Sequence, residues 1–258
     1  MSILTDLTPS ALTRAIEDNL FSLFRAMASL PGGRLEESEQ MLRYTTGLPS
    51  PMFNGVARTR TDAVSRQVLE QPFFWWTGPQ SWPPDLDDRL ESAGLQPAGR
   101  DWPGMAMPLA EIDEAKAAPP GVAVGEARTE PELIRWGEGF CAAFDLPPRA
   151  AESWIEAARR LRFRELPWRH WVARIDGEPA GVGLSHTGGG VIGLYGIGTV
   201  PAARRRGVGS ALTLVPMLAA RADGFRAAIL HATPDGARLY PRLGFREYCR
   251  ISRFLGGV

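Results

Sequence analysis

TVPAARRRGVGSAL, residues 199–212, sets three arginines, Arg204, Arg205 and Arg206, against two glycines spaced by one residue, Gly207 and Gly209. The flanking pattern predicts a strand ending at Val200 and a helix opening at Ser210, so the stretch is the loop between them. The first turn of a helix leaves backbone N–H groups unpaired and carries partial positive charge, which suits an anion. Glycine at 207 and 209 removes side chains that would hold a phosphate away from those groups. Arg205 and Arg206 add charge-assisted hydrogen bonds at the rim. A pyrophosphate-sized anion fits this chemistry. Two familiar nucleotide loops do not match. One needs Gly-Lys-Ser/Thr, and the loop has no lysine; the other needs a third glycine where Leu212 stands. The competing interpretation is a basic turn that caps a helix and faces water.

Strand and helix patterns alternate on both sides of the loop. Upstream, residues 132–144 and 149–163 predict helices, and residues 170–200 predict strands turning at Asp-Gly-Glu-Pro and Thr-Gly-Gly-Gly, the first a good hairpin signal. Downstream, a helix over 210–223, a strand over 226–232, a short helix over 234–243 and a last strand after Gly244 complete an α/β domain with a mixed sheet. Pro216 and Pro241 fall inside predicted helices, where each costs a hydrogen bond. The front half opens with an amphipathic helix, Leu12, Ile16, Leu20, Leu23 and Phe24 lying on one face, ended by Pro31-Gly32-Gly33. Strand candidates follow at 40–46, 53–60, 72–78 and 105–112, with a helix from Pro84 to before Gly94. DEAKAAPPG (113–121) reads as a linker, dividing the chain into domains 1–118 and 119–258. An internal echo links the two: PPDLDDRLESAGL (83–95) resembles TPDGARLYPRLGF (233–245), matching Pro84-Asp85 to Pro234-Asp235, Gly94 to Gly244 and Leu95 to Phe245. It indicates a decayed duplication.

Composition bounds the partners. The 258 residues carry 29 Lys+Arg and 29 Asp+Glu, a formal charge of zero that argues against a general affinity for nucleic acid or acidic membranes. Lys116 is the only lysine. Cys141 and Cys249 form neither a metal spacing nor a disulfide framework, which fits a reducing cytoplasm. The first residues carry charges where a signal peptide needs an apolar run, and no run of eighteen apolar residues exists to span a membrane.

At the loop the chain resembles the GNAT acetyltransferase superfamily. The family pattern Arg/Gln-x-x-Gly-x-Gly/Ala is satisfied by Arg204-Arg205-Arg206-Gly207-Val208-Gly209, and the family's second signature is matched by ARLYPRLGF (237–245). The resemblance covers roughly residues 122–258; the front half shares in it only through the echo. It implies a GNAT-type α/β fold, a mixed, mostly antiparallel splayed sheet flanked by helices, in a tandem of two such domains. It implies acetyl-coenzyme A as cofactor, with the pyrophosphate held by Arg205, Arg206, Gly207, Val208, Gly209 and Ser210. The strand before the loop is expected to bulge, eased by Gly196 and Gly198. Backbone groups of Ile197, Gly198, Thr199 and Val200 would then hold the pantetheine arm and polarise the thioester carbonyl. Tyr240 stands where the family keeps a tyrosine that protonates the departing thiolate; otherwise it is an amphipathic core residue. Transfer from a phenol near pKa ~10 to a thiolate near ~8.5 is uphill by about 2 kcal/mol. Thr233 stands where many relatives carry an asparagine against the cofactor arm, and equally suits a helix N-cap. Leu90 replaces Tyr240 in the echo, and the stretch between the second and third strand candidates is too short for loop and helix. The front half is therefore expected not to catalyse.

The implied activity is direct acetyl transfer, without metal, to a primary amine of a small molecule or peptide. An amine near pKa ~10.4 is neutral only about once in 2,500 at pH 7, so a base must take its proton. The central strands hold no carboxylate, and His231 is the nearest titratable candidate, with His170, His186, Glu138 and Asp145 behind it. Tryptophans at 75, 76, 136, 154, 168 and 171 serve as core or as walls of an acceptor cleft. The chain is expected to be a cytoplasmic monomer or homodimer that binds neither nucleic acid nor membrane. The rival function is a non-catalytic acyl-coenzyme A sensor or scaffold.

Overall fold

The structure, a computed structural model, describes residues 2–65, 67–160 and 168–257. Helix α1 (Pro9–Ala28) starts on a proline, whose missing N–H is not needed in a first turn, and buries the predicted stripe. Strands β1 (Arg34–Glu37), β2 (Leu42–Thr45), β3 (Gly55–Ala57) and β4 (Phe73–Thr77) lead to helix α2 (Leu86–Ser92) and strand β5 (Gln96–Pro108). The back half runs β6 (Val122–Ala127), α3 (Glu130–Phe144), α4 (Glu152–Arg160), β7 (Arg169–Ile175), β8 (Glu178–Gly188), β9 (Val191–Thr199), α5 (Val208–Ala222), β10 (Ala227–His231), α6 (Tyr240–Leu243) and β11 (Arg246–Gly256). The hairpin signal is realised: Ile175 pairs with Glu178 across Asp176 and Gly177, both at positive φ.

Several expectations need correction. The helix expected over 149–163 is a 3₁₀ turn (Pro148–Ala151) followed by α4, and residues 161–163 lie outside the described residues. The helix expected over 234–243 is a 3₁₀ turn (Gly236–Arg238) followed by α6, so Pro241 occupies a first turn, where it costs no bond. Pro216 does lie inside α5. β5 begins nine residues before the expected 105. Its prolines at 97 and 103 argue against a central strand; the pairing with β11 shifts register beside Pro97, while Pro103 pairs in regular register with Arg250. Residues 109–111 leave the strand as a 3₁₀ turn. β1, fully exposed and charged, gave no apolar pattern to detect.

All eleven described strands join one sheet in the order β1-β2-β3-β4-β11-β5-β10-β9-β8-β7-β6. Among the described pairs only β3–β4 and β9–β10 are parallel. The sheet is close to palindromic about its centre. β11, from the back half, pairs with β4 of the front; β5, from the front, pairs with β10 of the back; and β5 and β11 pair antiparallel with each other. The echo survives in backbone detail. Gly94 and Gly244 take φ +87° and +109°, and the N–H of the next residue closes the helix onto Leu90 O (3.0 Å) and Tyr240 O (3.1 Å) respectively. The two halves differ in one connection: β9 and β10 are joined by α5, whereas β3 and β4 are joined without a helix among the described residues.

Helices cover both faces. Ala227 and Ile229 of β10 turn toward α1, while Ala228 and Leu230 turn toward α5 and α6. On the α1 face α3 and α4 complete the layer, Trp136 and Trp154 packing with Leu20, Phe24 and Met27 in one cluster. α1 is tied to the β8–β9 hairpin by buried Asn19. Its Nδ2 donates to the carbonyls of His186 (3.2 Å), Gly188 (2.8 Å) and Val191 (3.2 Å), and its Oδ1 accepts from the Tyr195 hydroxyl (2.5 Å). Asn19→Ala removes all four bonds at a buried site, and we expect urea unfolding to show a loss of about 3 kcal/mol.

Candidate active site

The sheet opens at β9. Val182 of β8 pairs with Gly198 but Leu184 pairs with Tyr195, so β9 carries one extra residue, a bulge at 196–197. Gly196 takes φ +55° there, a conformation glycine adopts without strain. The parallel pairing of β9 with β10 stops at Leu194 and Leu230. Beyond it, residues 195–199 pair with β8 alone, and their other edge faces a widening gap.

The arginine-glycine loop closes the mouth of that gap. Arg205 sits at φ +65° and Gly207 at φ +82°, and Gly207 is the N-cap of α5. A Cβ at Gly207 would lie 2.7 Å from Pro119 Cβ, so contact and conformation both require glycine. α5 opens at Val208, two residues earlier than expected, and its first intrahelical bond runs from Ala211 N–H to Gly207 O (3.0 Å). The N–H groups of Val208, Gly209 and Ser210 therefore have no helical acceptor. A groove of about 1,070 Å³ runs from this turn along β9. Of the sequence candidates, Ile197, Gly198, Thr199, Arg205, Gly207, Val208, Gly209, Ser210, Thr233 and Tyr240 line it. Val200 and Arg206 do not: Val200 packs with the cluster under α5, and Arg206 is exposed to solvent. Arg204, read in the sequence only as part of the loop signature, and Lys116, Arg238 and Arg242, which sequence reasoning missed, add positive charge to the walls. Lys116 is steadied by Asp113 (3.3 Å) and the Arg242 carbonyl (3.2 Å). It arrives from the interdomain linker, which no loop motif marks.

A second cavity, about 410 Å³, lies on the α1 side of the sheet. Its walls are aromatic and aliphatic and come from both halves: Phe24, Tyr44, Phe74, Trp76 and Trp102 from the front, Phe140, Trp154, Trp168 and Tyr195 from the back. No carboxylate lines it among the described residues. The two cavities share Phe144, Ile197, Thr233 and Tyr240 as common walls. Tyr240 is nearly buried, its ring edge-on to Phe245 at 5.8 Å, and burial pushes its phenol up to about 12. Thr233 accepts from Gly236 N–H (3.3 Å), so it caps a turn and lines both cavities at once.

The histidines separate cleanly. His231 lines the aromatic cavity between Trp76 and Tyr195, with ring centroids 6.2 and 6.0 Å away. Its Nε2 is buried without a hydrogen-bond partner among the described residues, and burial, aided by the Arg253 charge, lowers its pKa to about 4. His186 lines the same cavity with Nε2 3.1 Å from Ser22 Oγ. His170 is a core residue 4.7 Å from the Trp136 ring, held neutral by burial, and lines neither cavity. Glu138 and Asp145 are exposed and line neither.

One buried carboxylate escaped the sequence. Glu17 on α1 accepts from Gln80 N–H (2.9 Å), and desolvation raises its pKa to about 7. Its neighbours Ile16 and Asp18 place it at the edge of the apolar stripe, where a solvated side chain is the ordinary expectation. The folded state holds this proton more tightly than the unfolded chain, so the group lowers stability progressively as pH rises from about 4.5 to about 7. Glu17→Gln should therefore raise stability by up to about 3 kcal/mol at pH 8 and by little at pH 4.5, read as the difference between variant and parent melting curves.

A splayed sheet with an anion loop at its mouth is the architecture of the GNAT acyltransferases. Residues 167–247 match the family model described as acetyltransferase (GNAT) domain. Residues 167–247 therefore carry a GNAT domain, and the chain as a whole shares its fold with GNAT structures, a tandem GNAT protein among them. Among solved structures it is similar to a GCN5-related N-acetyltransferase from Kribbella flavida, with 16% identity over 96% of each chain and a TM-score of 0.67. It is also similar to one from Sphaerobacter thermophilus, with 17% identity over 96% of this chain and 93% of the other and a TM-score of 0.56. A tandem GNAT protein from the clavulanic acid biosynthesis pathway aligns with 13% identity over 99% of this chain and 96% of the other, with a TM-score of 0.55. A search of curated proteins found no match. No helix of the described residues is long and apolar enough to cross a membrane.

Proposed function

We propose that the chain is an acetyl-coenzyme A-dependent N-acetyltransferase, in which residues 119–258 hold the donor and residues 1–118 serve as a wall of the acceptor site. The meeting of a basic groove and an aromatic cavity at Tyr240 carries this reading. The residues present fit the coenzyme: three free N–H groups over Gly207 and the cations Lys116, Arg204, Arg205, Arg238 and Arg242 suit its phosphates, and the open β9 edge suits an extended amide arm. When bound, acetyl-coenzyme A supplies an acetyl group activated as a thioester. The backbone of residues 197–199 then fixes that arm and offers N–H groups to the carbonyl oxygen. Tyr240, protonated throughout the neutral range, donates to the departing sulfur. The aromatic cavity disfavours ammonium, so it draws the acceptor in as the neutral amine and eases the demand on a base. His231, neutral and unpartnered at Nε2, takes the proton that nitrogen sheds once the bond to carbon forms. The acceptor is a small molecule or peptide amine.

Calorimetry with acetyl-coenzyme A, followed by acetylation assays over a panel of amines, tests the reading. Binding with turnover supports it. Binding without turnover on any amine supports a sensor instead, and absence of binding removes both.

A further inference from the structure

Arg253 of β11 lines the aromatic cavity in a way unlike the other arginines. Its guanidinium carbon lies 4.5 Å from the ring centroids of Phe74 and Trp102 and 5.6 Å from that of Trp76. Nε donates to Ala98 O at 3.0 Å. Among the described residues no carboxylate lies within ion-pair distance and neither terminal nitrogen has a hydrogen-bond partner. Unpaired Arg204 and Arg206 stand in solvent; Arg253 is largely withdrawn from it, and that burial lowers its pKa to about 10, leaving it charged at neutral pH. A desolvated cation without an anion is costly, and ring faces offset only part of the cost. The two free terminal nitrogens present a fork that matches a carboxylate.

Position refines the chemistry. On β5, Gly99 pairs with Arg253 and Gly104 pairs with His231, five residues further along. The strand is bulged between these levels, and both side chains come to rest against Trp76, 5.6 and 6.2 Å from its ring, so the guanidinium carbon and the imidazole lie no more than about 12 Å apart. Arg253 therefore meets the cavity at a point of its wall separate from His231, with Trp76 in contact with both. We propose that the acceptor is an amine with an aromatic or apolar body ending in a carboxylate remote from the nitrogen, and that Arg253 receives that carboxylate. This rests on the cavity being the acceptor site. An α-amino acid, whose two charged groups are two bonds apart, does not span it.

The test is equilibrium binding to the full chain, followed by tryptophan fluorescence at saturating coenzyme A. The ligands are 4-(2-aminoethyl)benzoate, the neutral 4-(2-aminoethyl)benzamide, and phenylalanine. We expect the benzoate to bind about ten- to a hundredfold more tightly than the benzamide. Arg253→Met, which keeps the stem and removes the charge, should bring that ratio to within about twofold, and Arg253→Lys should restore part of it. Coenzyme A calorimetry on each variant reports whether it is folded; if Arg253→Met is not, the parent ratio and Arg253→Lys decide. Equal affinity for benzoate and benzamide, no benzoate binding, discrimination that survives in Arg253→Met, or phenylalanine binding as tightly as the benzoate overturns the proposal. The readout needs no turnover. A preserved benzoate preference without acetylation counts against the transferase reading alone, and acetylation of uncharged amines without that preference counts against Arg253 alone.

Discussion

Tyr240→Phe should lower kcat for acetyl transfer by about a hundred- to a thousandfold while leaving coenzyme A affinity within about twofold, the range for loss of one positioned general acid. The variant keeps the ring that packs against Phe245 and removes only the hydroxyl between the two cavities. With the phenol pushed up to about 12, its proton is present at every practical pH, so the rate should show no alkaline limb from this group below pH 11. The same burial makes donation harder. Against a thiolate near ~8.5 in water the transfer is uphill by about 5 kcal/mol, more than an unperturbed tyrosine would face. A thiolate at the same dry junction is itself raised by desolvation, and the gap closes from both sides. Steady-state kinetics with a thiol-trapping reagent checks the rate, and calorimetry checks the affinity.

Gly207→Val should weaken coenzyme A binding by at least about thirtyfold, roughly 2 kcal/mol at 25 °C. A branched side chain at φ +82° is strained by itself, by about 1–2 kcal/mol or more. Its Cβ also meets Pro119 at 2.7 Å, a backbone-fixed ring that cannot swing aside. Relief requires the turn to rotate, and rotation would move the N–H groups of residues 208–210 out of the geometry in which they can share one anion. Each lost charge-assisted bond is worth about 1.5–3 kcal/mol, so displacement of one is enough. Calorimetry with coenzyme A measures the loss. Gly207→Ala should fall between parent and valine variant.

What was legible in the sequence was local chemistry. Asp176-Gly177, the loop at 204–210 and the paired glycine caps at 94 and 244 each act through neighbouring residues, so their spacing reveals them. The basic groove followed, because eighteen of its lining residues lie within two short stretches, 197–210 and 233–243. The exchange of β5 and β11 was hidden: both strands are apolar enough to pair with any neighbour, and the choice is made by packing far along the chain. The aromatic cavity was hidden for a related reason. It draws on residues from position 20 to position 253, and nothing in their spacing marks them as a set. His170 was a candidate base on composition alone; the Trp136 ring over it makes it core. Arg253 was one of many arginines until its place against three aromatic rings, with no counter-charge among the described residues, could be seen.

The traded outer strands have a mechanical corollary. Each half closes its own curvature with the terminal ribbon of its neighbour, so severing the peptide at residue 118 would not free two independent bodies. The walls of the aromatic chamber are thereby bolted to one continuous frame, which keeps the halves from swinging apart to open it.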